Sequence, residues 1–126
     1  MERLQRITTC ISQLDGVVVT EPLVQTVDLI SGKVMIREDG IELPFEVHIG
    51  PSYPFQFHGS DTIKFVNAEL LPYNHVMEDG TICLHTLHSP ELEQKLQIDF
   101  GGVKQWIKKY YILHSVDQNY EHIIVR

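Results

Sequence analysis

Sixteen residues, Tyr73 to His88, hold three of the chain's seven histidines together with Cys83, one of its two cysteines. A cysteine set between polar turns, with imidazoles nearby, suits nucleophilic chemistry. Only the thiolate attacks, and a neighbouring donor or charge favours it. Two other readings fit the same residue types. Free cysteines are often buried, so Cys83 also reads as a structural thiol. Cys83, His85 and His88, with His75 as a fourth, also offer soft and borderline ligands that tetrahedral zinc accepts. Structural zinc sites usually draw paired ligands from two knuckles, and the chain carries no second Cys-x-x-Cys or His-x-x-x-His element.

The elements that must position this segment are legible as periodicities. Leu4, Ile7, Ile11 and Leu14 fall at helical spacing, which predicts an amphipathic helix over 3–14 closed by Asp15-Gly16. Cys10 lies beside that stripe and reads as a core or boundary residue. From Val17 the pattern turns to strand, with β-branched runs in 17–20 and 23–30 and then Val34 to Arg37. Ser31-Gly32 and Asp39-Gly40 read as hairpin signals between them. The clearest strand is Ile41 to Ile49, where apolar and polar residues alternate, so one face is buried and one is wet. Pro51 and Pro54 stop the ladder, and a short strand follows at Thr62 to Val66. Residues 67–99 read mostly as loop, and a loop that long in a compact domain is usually functional. Helical spacing returns from Phe100 to His114, predicting a helix that covers one face of the sheet.

The chain's 126 residues fit one domain and leave no room for a second core. Ten Lys and Arg against seventeen Asp and Glu give a net charge of −7, concentrated in 15–93, where thirteen acids meet three bases. That surface is wrong for tracking phosphates, which argues against nucleic acid as a partner. The more basic ends could meet an acidic protein. No apolar run approaches the roughly 20 residues needed to span a bilayer, and no signal peptide opens the chain, so no membrane role is expected and the location is read as cytoplasmic. Cys10 and Cys83 are read as free thiols. The final apolar run, Ile123-Ile124-Val125, suggests a domain cut from a longer polypeptide.

The order short helix, meander, FEVHIGPSYPF, TIKFV, LPYNHVMEDGTICL and Trp-containing helix resembles the ubiquitin-conjugating enzymes. Phe45 to Phe55 matches the family's aromatic-rich strand and Tyr-Pro-Phe turn. Gly80-Thr81-Ile82-Cys83-Leu84 matches its catalytic Gly-x-Ile-Cys-Leu context. The likeness covers essentially all of 1–126. It implies an α+β ubiquitin-conjugating fold: an N-terminal helix, a four-stranded antiparallel meander, a long active-site loop and a crossing helix. It also implies a cis peptide at Tyr53-Pro54, where Pro51 and Pro54 enclose an aromatic turn. The chain departs from the family in places. Tyr73-Asn74-His75 stands where a His-Pro-Asn motif is usual, so His75 replaces the asparagine that donates to the oxyanion, with Asn74 a neighbour that could substitute. Gln56-Phe57-His58 replaces the usual Pro-Pro, and the two C-terminal helices are incomplete. These features resemble divergent bacterial members that accompany, or are fused to, an activating enzyme, some in antiviral defence operons.

The resemblance implies that an adenylating activating enzyme, separate or fused, passes a ubiquitin-like protein to Cys83 as a thioester, and that an amine of an acceptor protein then takes it. Neither metal nor organic cofactor is required. Cys83 is the nucleophile and His75 the oxyanion donor. His85 and His88 could perturb the thiol or deprotonate the amine, Asp99 or Asp117 could orient it, and Arg3 and Arg6 could dock the activating enzyme. Tyr53, Pro54, Phe55 and Trp106 read as packing and turn residues. A non-catalytic module that holds ubiquitin-like proteins is the contrasting reading, although inactive family variants lack the cysteine.

Overall fold

A computed structural model of the chain describes residues 3–27, 29–55, 62–70, 76–82, 84 and 86–112. Helix α1 (Arg3–Gln13) is followed by strands β1 (Val17–Gln25), β2 (Ile30–Glu38), β3 (Ile41–Ile49) and β4 (Ile63–Val66). A single 3-10 turn, Ala68–Leu70, precedes helix α2 (Leu92–Trp106), which continues as a π-helical stretch, Ile107–Ile112. The strands pair antiparallel in the order β1-β2-β3-β4, an α+β meander as expected. Among the described residues no helix is long and apolar enough to cross a membrane.

The alternation in β3 sends Leu43, Phe45, Val47 and Ile49 inward. They meet Val34 and Ile36 of β2, Ile63 and Phe65 of β4, and the Ile7–Ile11 stripe of α1. Helix α2 closes the core with Leu96, Phe100 and Val103, and the Phe100 ring meets Phe65 edge-on with centroids 4.8 Å apart. Cys10 is buried in this core, in keeping with its place beside the α1 stripe.

Two boundaries differ from the sequence expectation. Asp39 (φ 52°) and Gly40 (φ 81°) do form the two-residue β2–β3 turn, both in the left-handed region that such turns require. Ser31-Gly32, however, lies inside β2, and the β1–β2 connection comes earlier, where the Thr26 amide donates to the Leu29 carbonyl at 2.8 Å. Gly32 answers a close approach there. β1 shifts register between Glu21 and Val24, and a Cβ on Gly32 would stand 2.7 Å from Leu23 Cδ2.

The second difference is α2, which starts at Leu92, well before Phe100, and so removes 92–99 from the expected loop. The apolar spacing that carries it, Leu92, Leu96, Phe100 and Val103, is interleaved with Lys95 and Asp99, which share the buried side. Those charges mask the stripe in the sequence. Ser89, part of an expected loop signal, helps to open the helix: its hydroxyl accepts the Glu91 amide and donates to Gln94 Oε1.

Candidate functional site

The stretch leading to Cys83 is pinned to the open edge of the sheet. Thr81 bridges Val66 of β4 in antiparallel fashion, and Ile82 bridges Val76. The Ile82 amide donates to the Phe65 carbonyl at 2.8 Å, and the Asn67 amide to the Gly80 carbonyl at 2.9 Å. Met77 and Gly80 close the turn between the two bridged arms, since Gly80 N–H donates to Met77 O and Met77 N–H to Thr81 O, each at 2.8 Å. Asp79 Oδ1 accepts the Thr81 amide at 2.9 Å. Hydrogen bonding from Thr81, with a smaller contribution from Lys64, holds the Asp79 carboxyl below the usual carboxylate range.

Gly80 is the residue this turn depends on. Its φ is +89°, and a Cβ there would lie 2.8 Å from both Cα and N of Ala68. Only a glycine fits both the backbone angle and the space.

On the far side of Cys83 the chain lies against α2. Leu84 packs on the core, and the methyl of Thr86 rests on Gly102, where a Cβ would approach it to 2.8 Å. The Thr86 hydroxyl donates to Asp99 Oδ1 at 2.7 Å. Lys95 Nζ donates to both Asp99 oxygens, at 2.7 and 2.8 Å, and the Tyr53 hydroxyl donates to Oδ2 at 2.5 Å. Lys95 and Asp99 are each only 1 % exposed, so the carboxylate is taken out of water with three protein donors in its place.

Tyr53 belongs to the turn after β3, and the Tyr53–Pro54 peptide is cis, as expected. Arg3 of α1 braces that turn, its guanidinium donating to the carbonyls of Gly50 (2.8 Å) and Tyr53 (2.9 Å). Partial burial lowers the Arg3 pKa from its ordinary value. The carboxylate of Asp99 thus joins three parts of the chain: the Tyr53 turn, α2 and the segment just after Cys83.

Of the residues singled out from sequence, Cys83, His75, Asn74, His85 and Asp117 lie outside the described residues. His88 is exposed. Asp99, expected to orient an incoming amine, is instead buried with both oxygens engaged, which suits an anchor and not a solvent-facing acid. Arg3 is occupied by backbone carbonyls of its own chain, whereas Arg6 is exposed and pairs with Glu93 of α2 at 3.0 Å.

Lys95 and Thr86 carry no role in the sequence reading, and Tyr53, read there as a packing and turn residue, also donates its hydroxyl to Asp99. A signal for the first exists in the sequence. Lys95 and Asp99 are opposite charges at i and i+4, and they sit one position before Leu96 and Phe100, on the face those apolar residues define.

Cys10, by contrast, is a core thiol. Its Sγ lies 3.8 Å from the Glu93 carbonyl, and burial, helped by the Glu93 charge, pushes its pKa up. No family model, curated protein or solved structure matches the chain.

Proposed function

We propose that the chain is an acyltransferase of the ubiquitin-conjugating type that carries a ubiquitin-like protein as a thioester on Cys83. The observation that carries this reading is how the chain enters Cys83. Gly80, Thr81 and Ile82, the residues of the Gly-x-Ile-Cys-Leu context, are bonded to the β4 edge through Val66, Phe65 and Asn67. The helix, the four-stranded meander, the cis Tyr53–Pro54 turn and the following helix support it in the same chain order. They are consistent with a ubiquitin-conjugating fold and with a cysteine delivered on a braced backbone.

In this reading the Cys83 thiolate attacks the thioester carbonyl presented by an adenylating activating enzyme. The tetrahedral intermediate collapses and expels the activating enzyme's thiolate. An amine of the acceptor then attacks the new thioester, loses its proton to a base and releases the Cys83 thiolate. Both steps pass through an oxyanion, for which His75 is the proposed donor.

The test is loading. With an activating enzyme, ATP and its ubiquitin-like protein, the wild type gains the mass of that protein in a form cleaved by thiols, and Cys83→Ala does not. An adduct that persists in Cys83→Ala, or a wild type that never loads across the known classes of ubiquitin-like protein, removes the reading.

A further inference from the structure

The reading above assigns no role to the buried polar cluster on α2, and its connections point to one. A buried ion pair is commonly no more stabilising than apolar residues of the same volume. Lys95 and Asp99 are already neighbours on one helix, so their pairing alone joins no distant parts of the chain. What the pair adds is a fixed carboxylate with two further acceptor directions. One takes the Tyr53 hydroxyl and the other the Thr86 hydroxyl.

Thr86 stands three residues after Cys83, and Ile82 one residue before it. Ile82 is held by the Phe65 carbonyl, on the sheet edge. Thr86 is held by Asp99, and Lys95 Nζ also lies 3.4 Å from its hydroxyl. The chain is therefore held at Ile82 before Cys83 and, after it, by the core packing of Leu84 and the hydrogen bond of Thr86. Of these anchors, the last is made by a side-chain hydroxyl and can be removed without touching the backbone.

We infer that Thr86 is a positioning residue: its hydroxyl, seated on the Lys95–Asp99 pair, holds the chain that carries Cys83 and so tunes the reactivity of that thiol. The inference rests on the reading of Cys83 as the nucleophile. Small displacements of a reacting group can cost as much as about a hundredfold in rate, so one lost anchor is measurable.

Two single substitutions separate this from mere packing, because Thr86 has two contacts of different kinds. Thr86→Val keeps a methyl over Gly102 and removes the hydroxyl. Thr86→Ser keeps the hydroxyl and removes the methyl. The measurement is the rate at which iodoacetamide alkylates Cys83 from pH 6 to 10, resolved by peptide mass spectrometry below each variant's unfolding transition. No activating enzyme is needed.

Thr86→Val should change the Cys83 alkylation rate at neutral pH by about fivefold or more, while Thr86→Ser stays within about twofold of wild type. A serine variant that departs as far as the valine variant, or a valine variant indistinguishable from wild type, overturns the inference. Loading by an activating enzyme is scored separately on the wild type. The expected alkylation pattern without loading keeps the positioning role and removes the acyltransferase reading. Loading without that pattern does the reverse.

Discussion

Lys95 and Asp99, one turn apart in α2, close an ion pair at 2.7 Å with each side chain only 1 % exposed. Removing one member strands the other charge in the core, which typically costs about 3–5 kcal/mol. Asp99→Ala should therefore unfold at markedly lower urea than wild type. The double replacement Lys95→Met with Asp99→Leu removes both charges, and it should recover most of the loss. Equal destabilisation of the single and double variants would show that the wider cluster, and not the stranded charge, sets the cost.

Tyr53 offers a milder probe of the same carboxylate. Tyr53→Phe keeps the ring in the core and removes the donor at 2.5 Å from Asp99 Oδ2. A hydrogen bond to a charged group is worth roughly 1.5–3 kcal/mol. The expected loss in chemical denaturation falls in that range, with the fold intact by circular dichroism. Wild-type stability in Tyr53→Phe would mean that Lys95 and Thr86 satisfy the carboxylate without it.

Gly80 and Gly40 make a paired test of the turns. Both have positive φ, but a Cβ at Gly40 meets nothing within 4 Å, while one at Gly80 meets Ala68 backbone at 2.8 Å. Gly40→Asn should cost less than about 1 kcal/mol, because asparagine tolerates the left-handed region. Gly80→Ala adds a backbone clash to a strain of about 1–2 kcal/mol, and should exceed it. If Cys83 carries a thioester, slowed loading should accompany Gly80→Ala, since the same turn carries the bridge from Thr81 to Val66.

Much of this frame is legible in the residues themselves. The α1 stripe, the alternation of β3 and the Asp39-Gly40 turn each follow one periodicity or one turn rule, with no competing signal. Ser31-Gly32 misleads because a glycine in a strand looks like a turn until the register shift of β1 brings Leu23 against it. The start of α2 is hidden for a related reason. Lys95 and Asp99 occupy buried positions, and only the assembled fold shows Tyr53 and Thr86 arriving to satisfy them. The segment around Cys83 is conspicuous by composition, yet the anchor on its far side depends on a hydroxyl that sequence spacing does not distinguish from any other threonine.

Cys10 predicts a pH dependence with a definite sign. Burial and the Glu93 charge raise its folded pKa, so above the unfolded thiol's value the unfolded chain has lost a proton that the folded chain still holds. Stability should therefore fall as pH rises past about 9, and Cys10→Ser should flatten that decline. Below that range the thiol is protonated in both states and contributes no slope. At neutral pH, Cys10 should also react with iodoacetamide more slowly than a cysteine in an unstructured peptide. A Cys10 rate equal to the peptide's would contradict the buried placement.

His75 bears on the chemistry most directly if Cys83 carries a thioester. It stands eight residues before Cys83, where the resemblance places the oxyanion donor, and an imidazole can donate either as the suitable neutral tautomer or as the cation. Loss of one such donor costs on the order of a hundredfold or more in the chemical step. His75→Ala should stay folded, load Cys83 slowly and discharge to amines about a hundredfold more slowly than wild type. His75→Asn should restore part of that rate, because an amide also donates. Wild-type loading and discharge in a folded His75→Ala would rule out the donor role and move it to Asn74, which Asn74→Ala would then test in the same assay.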